Sequence, residues 1–506
     1  AAGRGQAVAG CNLLRGLRVE LLSGAETVLA STVYDLAGRV ISETSLQQGT
    51  TAYAYAFGAN NKTIVTTTFA DGGTRIETRA ASGSPIGVRG TAVAPLDYTY
   101  NTRSWDGRGD GYISEIHRLN ADNSFLLERQ SINLLGAVEW TEFSDGAKSY
   151  RYFDAIGRVN REVDPDGVAT LYAYDARGRP AVTALDLNRN GAIDYAGTDR
   201  IAHTLYEVGV RDGATVQRTT TQQWETDSLD TPATVSIAEA SVDGLRSWQT
   251  VRGLTSSFVT AYNGMGGRTV TATAPDGTVS VQSYLGNRLL STTVTATRNT
   301  QLSATTYAYD SSGRLASTTD ARSGATTYAY DASDRLASVT TPDPDPARSG
   351  PGYDPQTTSY TYGAMGRVSA VTQPDSGVVN TTYYPTGAVK RTWGSRTYPV
   401  EYAYDVQGRV KTLTTWQDFA GDTGRAVTTW NYDGGRGWLL NKRYPDNTGP
   451  SYGYTAAGRL RARTWARGLS TAYTYNNAGE VSFVDYSDAT PDATLVYDRT
   501  GRPKTI

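Results

Sequence analysis

Asp186, Asn188, Asn190, Gly191, Ala192 and Ile193 are spaced like the opening of a cation-binding loop. Side-chain oxygens at places one, three and five, glycine at six for a sharp turn, a backbone carbonyl at seven and an aliphatic residue at eight match an EF-type calcium loop. The twelfth place, where a bidentate acid belongs, is Gly197, so Asp194 or Asp199 has to substitute. Two readings are open. Either calcium is held by Asp186, Asn188, Asn190, Ala192, Asp194 and Asp199, or these residues form an Asn/Gly turn that is rigid without metal. A stretch of similar shape, Asp106-Gly-Arg-Gly-Asp110-Gly111-Tyr-Ile113, has Arg108 in a ligand place. Its Arg108-Gly109-Asp110 spells an adhesion tripeptide, which a Gly/Asp-rich loop produces by chance.

Other chemistries lack their parts. One cysteine, Cys11, allows no internal disulfide and no Cys-rich metal centre. Val8-Ala-Gly-Cys11 has the letters of a lipoprotein cleavage box without the preceding apolar run. His117 and His203 lie far apart, with no HExxH spacing and no nearby Ser or Cys nucleophile in sequence. Most aspartates occupy turn slots, where capping explains them, and no motif marks a carboxylate pair for glycoside cleavage. The expectation is a protein without enzymatic activity.

Composition narrows the field further. The chain has 506 residues, with Lys+Arg 48 against Asp+Glu 50. That balance removes the electrostatic case for nucleic acid or an anionic membrane. No apolar stretch approaches the ~20 residues of a spanning helix. The start, Ala-Ala-Gly-Arg, has no initiator Met and no signal-peptide core, and reads as a trimmed or internal segment of something longer. Tyr 34 and Gly 53 stand out against Phe 8 and Met 2. Tyrosine favours pleated surfaces and glycine punctuates turns, so the expected fold class is all-β.

The elements that carry these residues repeat. Tyr-x-Tyr-Asp-x-x-Gly-Arg-(Leu/Val) occurs whole at Tyr307, Tyr309, Asp310, Gly313, Arg314 and at Tyr402, Tyr404, Asp405, Gly408, Arg409. It occurs with a final proline at Tyr172, Tyr174, Asp175, Gly178, Arg179. Near-copies run through Tyr34–Val40, Tyr328–Leu336, Tyr360–Val368, Tyr452–Leu460, Tyr473–Val481 and Tyr497–Pro503, and a weaker one lies at Phe153–Val159. Gly157 to Gly178, Gly387 to Gly408 and Gly437 to Gly458 are each 21 residues apart. Residues 1–140 carry degenerate copies, 141–185 regular ones, 186–300 longer irregular strands with the calcium-like loop, and 301–506 regular copies interrupted by a Pro-rich loop at 341–355. No linker marks a domain boundary.

Asp followed three residues later by Gly predicts a type I turn with a G1 bulge. Asp405 and Arg409 then become cross-strand neighbours that brace the turn. Tyr404 is expected opposite Val410 and Tyr402 opposite Thr412, with both rings and Val410 on one face and Asp405 and Arg409 on the other. The small residues Ser317, Ser338, Ala370, Thr412 and Ala462 would face the outer tyrosines. Second turns, such as Asp164-Pro-Asp-Gly167, Ser144-Asp-Gly146 and Ala70-Asp-Gly72, lead into the next strand. A lone hairpin is marginal in water, so the units must pair side by side into one long sheet, tyrosine over tyrosine. Right-handed twist then coils the strip into a spiral, as a hollow shell or a solid solenoid.

The unit and its stride resemble the YD repeat of the RHS/YD-repeat family: bacterial RHS toxins, C components of insecticidal toxin complexes, wall-associated proteins and animal teneurins. The resemblance implies a β-sheet strip wound into a hollow shell, exported to the cell surface or medium, which in toxin members encloses a C-terminal cargo. Those members often cleave themselves at an Asp-Pro-x-Gly core signature. Here Asp164-Pro-Asp-Gly167 has those letters but sits mid-chain in a repeat-joining turn. Implied partners are the rest of the same polypeptide (cargo or further repeats) or a second shell component, with a carbohydrate or cell-surface ligand as the scaffold alternative. Nucleic acid and a membrane span are not implied.

Overall fold

A computed structural model describes residues 7–12, 16–22, 28–103, 110–122, 124–227, 231–297, 300–343, 347 and 354–505, with backbone alone for 7–29. Asp106 and Arg108, and most of the Pro-rich loop, lie outside the described residues, as does the side chain of Cys11. Among the described residues there are forty-three strands and two three-residue 3-10 turns, Ala59–Asn61 and Ala364–Gly366. Forty-one of the strands belong to one sheet, and every resolved pairing is antiparallel between neighbours in sequence. No described helix is long and apolar enough to cross a membrane.

The hairpin turn forms as its spacing predicts. In Asp405–Arg409 the Gly408 N–H donates to the Asp405 carbonyl at 3.0 Å and the Asp405 N–H to the Arg409 carbonyl at 2.9 Å. Gly408 takes φ +81°, which glycine adopts without strain, and Asp334 takes φ +60° in the corresponding slot of its copy. The second turns also close, with the Gly167 N–H on the Asp164 carbonyl at 2.9 Å.

One step from the turn the register departs from expectation. Tyr404 does pair with Val410, but Ala403 pairs with Thr412 and Tyr402 with Leu413, because Lys411 is an extra residue on the returning strand. The same bulge recurs in other copies: Tyr309 pairs with Leu315 but Ala308 with Ser317, and Tyr362 with Val368 but Thr361 with Ala370. The small residues Ser317, Ala370 and Thr412 therefore oppose the residue between the tyrosines, whereas the outer Tyr307, Tyr360 and Tyr402 face Thr318, Val371 and Leu413. A bulge bends its strand and sharpens the local twist, so each repeat carries its own curvature device.

The residues form two compact units, each made from two separate stretches: 1–146 with 328–451, and 147–327 with 452–506. In the second unit Leu171, Val182, Ala184, Ile201 and Trp224 form a buried cluster, and Ala214, Val216 and Trp248 form another. The strands Arg200–Arg211, Ala214–Gln223 and Ala233–Ser241 continue the antiparallel pairing. Among the described residues of the first unit, Trp416 is buried. Along strands such as Lys62–Thr68 and Val368–Thr372, side chains on both faces are half-buried.

Because only the left-handed backbone distinguishes the Gly408 position (a Cβ there meets no atom within 4 Å), Gly408→Ala should lower local stability by about 1 kcal/mol. Asp334→Gly should raise it by a smaller amount. Amide exchange of the two hairpins measures both changes.

Candidate functional site

The repeat residues assemble into one recurring contact. The Oδ1 of Asp405 accepts the backbone N–H of Gln407 and of Arg409, each at 3.0 Å, and Oδ2 accepts the Arg409 Nε–H at 2.6 Å. So held, the guanidinium lies 4.6 Å over the ring of Tyr432 in the next repeat. The Tyr432 hydroxyl donates to the Val410 carbonyl at 2.9 Å. Asp154, Arg158 and Tyr174 reproduce this, with the ring 4.2 Å from the guanidinium and its hydroxyl 2.7 Å from the Val159 carbonyl. Asp331, Arg335 and Tyr362 do so again, the hydroxyl reaching the Leu336 carbonyl. In the Asp175 copy, Arg179 stacks on Tyr206. Asp310 braces Arg314 through Nε at 2.7 Å. Tyr309 bonds the Leu289 carbonyl beneath Arg288, and Tyr404 bonds the Val389 carbonyl.

Two expectations are corrected here. Strand alternation does not carry through the tight turn, so the arginine reaches the tyrosine side instead of the opposite face. Between successive repeats the recurring ring contact is guanidinium over tyrosine, in place of a tyrosine ladder. Rings do meet within a strand, as Tyr402 and Tyr404 at 6.4 Å, which puts both on one face as expected. Sequence reasoning missed that the inner tyrosine caps the carbonyl following the arginine of the preceding hairpin. The available signal was the invariable aromatic one place before Asp, whose hydroxyl needs a partner once buried.

Electrostatics follow from this geometry. The carboxyls of Asp35, Asp154 and Asp175 are held below the usual range chiefly by the backbone N–H of Arg39, Arg158 and Arg179, with the guanidinium groups adding and burial opposing. Burial pushes the Tyr404 and Tyr432 phenols up. Burial, and then the bond to Glu162, raise Tyr172 to about 12.

The Asp186–Asp199 loop brings its predicted residues into one hydrogen-bonded turn. Asp186 and Asp199 are fully buried. Asp186 accepts the Asn190 N–H at 3.1 Å and the Gly191 N–H at 2.8 Å, and Asp199 accepts those of Leu187 and Asp194 at 3.0 Å each. The side-chain amides of Asn188 and Asn190 both donate to Asp194 Oδ2, and Ala192 donates its N–H to Asn190 Oδ1. Burial, with the charges of Asp186 and Asp194 adding and two backbone N–H groups opposing, pushes the Asp199 carboxyl up. Ile193 packs on the Trp224 cluster and Tyr195 lies 5.1 Å from its ring, which anchors the loop to the sheet. Arg499, also missed by sequence reasoning because it fills a variable slot, is buried beside the loop. It donates to the carbonyls of Asp194, Tyr195, Asp199 and Thr226 at 2.7 to 3.0 Å. Among the described residues, no three His, Cys, Asp or Glu side chains are grouped so as to hold a metal ion.

The histidines have structural surroundings. His117 stacks on Phe125 at 4.2 Å and contacts Glu115 at 3.1 Å, and His203 lies 6.3 Å from Trp224.

Residues 153–189 and 309–345 match the family model described as RHS Repeat. No curated protein sequence matches the chain. Among solved structures it is similar to a crystal structure of TcdB2-TccC3, with 12% identity and a TM-score of 0.39 over 98% of this chain and 36% of that one. It is also similar to a Photorhabdus luminescens Tc holotoxin pore, with 11% identity and a TM-score of 0.42 over 99% of this chain and 37% of that one. The chain spans a little over a third of those solved chains.

Tyr432→Phe strips a buried carbonyl of its donor and should cost about 1 kcal/mol, read as faster amide exchange at Val410 and its neighbours. The depressed brace aspartates stabilise above their unfolded pKa near 4, and that contribution disappears as pH falls through the lower folded values. Hairpin protection should therefore be flat from pH 7 to about 5 and decline below about 4. In Asp175→Asn the decline should be smaller at the 172–182 hairpin.

Proposed function

We propose that residues 1–506 form one continuous structural wall segment of an exported RHS/YD-repeat protein, enclosing a polypeptide cargo and doing no chemistry of its own. The observation that supports this is the recurrence of the Asp–Arg–Tyr contact between successive hairpins. It ties repeat to repeat along a sheet whose faces are half-covered, a construction suited to a thin curved barrier. The cargo is the rest of the same polypeptide, or is held jointly with a second shell component.

Electron microscopy of the purified chain tests it. A wall one sheet thick, about 10 Å, around a low-density interior is expected. A filled particle would refute enclosure and favour the scaffold alternative, in which exposed loops bind carbohydrate or a cell-surface ligand.

Calcium in the Asp186–Asp199 loop is proposed alongside, on the spacing of Asp186, Asn188, Asn190 and Gly191 along the chain and the two amide side chains that meet Asp194. Rotation of the Asn188 and Asn190 amides would present oxygens to a cation. Calorimetric titration with calcium should show one site in the intact chain, lost in Asp186→Ala. Equal uptake by both would return the loop to a metal-free turn.

A further inference from the structure

The copies that break the repeat are the informative ones. Four sets of ion pairs among the described residues join positions 280 or more apart: Arg367 with Asp71, Arg436 with Asp145, Arg459 with Asp164 and Asp166, and Arg200 with Glu480. Each lies within one compact unit. In every case the repeat involved lacks a correctly spaced Asp–Arg brace.

In the copy ending at Arg367 the Asp slot is Gly363, which has no carboxylate to hold the guanidinium. Arg367 instead donates to Asp71 Oδ2 at 3.1 Å, in the second turn Ala70-Asp-Gly72. In the copy ending at Arg459 the slot is Thr455. Its hydroxyl donates to Asp166 Oδ2 at 2.6 Å, and Arg459 bonds Asp166 and Asp164 at 2.6 Å each. An extra residue after Asp433 leaves Trp438 in the arginine slot, and the displaced Arg436 grips both oxygens of Asp145 at 2.9 Å, between the rings of Phe143 and Trp438.

The fourth copy is inverted. Asn476 replaces Asp and Glu480 replaces Arg, which leaves the next tyrosine, Tyr497, without its usual guanidinium. Arg200 binds both carboxylate oxygens of Glu480 and stands 5.9 Å over the Tyr497 ring, filling the place that the repeat's own arginine vacated. Uncharged bonds keep a similar offset: Gln407 to the Leu119 carbonyl, 288 residues away, and Asn477 to the Leu187 carbonyl, 290 away. Arg499 reaches the Asp199 carbonyl across 300 residues.

We propose that these departures are a registration code: a repeat gives up its internal Asp–Arg brace where its charge is needed to lock onto the strip segment lying about 290 residues earlier. The partner surface is the row of Asp-bearing second turns, Asp71, Asp145, Asp164 and Asp166, together with Arg200. A shifted alignment would take Arg200 from Glu480 and the paired carboxylates from Arg367, Arg436 and Arg459, which is how charge pairing fixes register at an interface. The inference holds whether the strip is a cargo wall or a scaffold.

The code makes restoring the consensus harmful. In Thr455→Asp the new carboxylate recaptures Arg459 in a local brace and places a like charge beside Asp166. Amide exchange at 164–167 should accelerate about tenfold or more, while the 309–315 hairpin in the same protein is unchanged and reports that the fold persists. Unchanged or slower exchange at 164–167 would overturn the proposal. A second arm uses charge exchange. Glu480→Arg and Arg200→Glu should each loosen the 476–480 turn, and the double variant should recover most of the lost protection. A double variant no better than the singles would overturn the proposal equally.

Discussion

The structure depends on a tyrosine hydroxyl that reaches back to cap a carbonyl of the preceding hairpin beneath an arginine. Ten hydroxyl–carbonyl bonds of this kind occur among the described residues, from Tyr55 on Val40 to Tyr497 on Val481. In eight of them a guanidinium lies over the ring at 4.2 to 5.9 Å. Where a repeat keeps its Asp–Arg brace, the contact takes an oriented guanidinium, which the aspartate supplies through the backbone N–H and Nε bonds of the turn. It also needs an open carbonyl, which lies on the residue following the arginine, where the bulge interrupts the ladder. Turn, bulge, brace and ring are thus parts of one device, and losing any one weakens the join to the next repeat.

That device explains how a long sheet is stable with few fully buried side chains. Each repeat contributes cation–π and hydrogen-bond contacts in place of a shared hydrophobic interior, and stability adds along the strip by nearest neighbours. Among the described residues, compact apolar clusters form around Trp224 and Trp248, where strands lengthen to as many as 12 residues. The Asp186–Asp199 loop sits on the first of these clusters through Ile193 and Tyr195. Arg499 ties it to the final repeat.

Arginine serves two purposes according to its neighbour. Beside Asp405 or Asp331 it is spent within the hairpin and on the following ring. Beside Gly363 or Thr455 it is free to reach a distant segment. The planar guanidinium permits both, since its fork satisfies a carboxylate while its face can lie on an aromatic ring.

From sequence alone, the hairpin turn was legible down to the atom: Asp405 and Gly408 interact over three residues, and turn chemistry is local. So were the stride, the all-β class, and the shared face of Tyr402 and Tyr404. The pairing of Tyr402 with Leu413 was not, because a single extra residue at Lys411 changes register without changing the hydrophobic pattern. Nor was the side on which Arg409 acts, since strand alternation says nothing about a chain leaving a tight turn. The roles of Thr455, Glu480 and Arg499 were hidden most deeply. Their partners lie nearly three hundred residues away, and only the folded strip brings those charges within bonding distance.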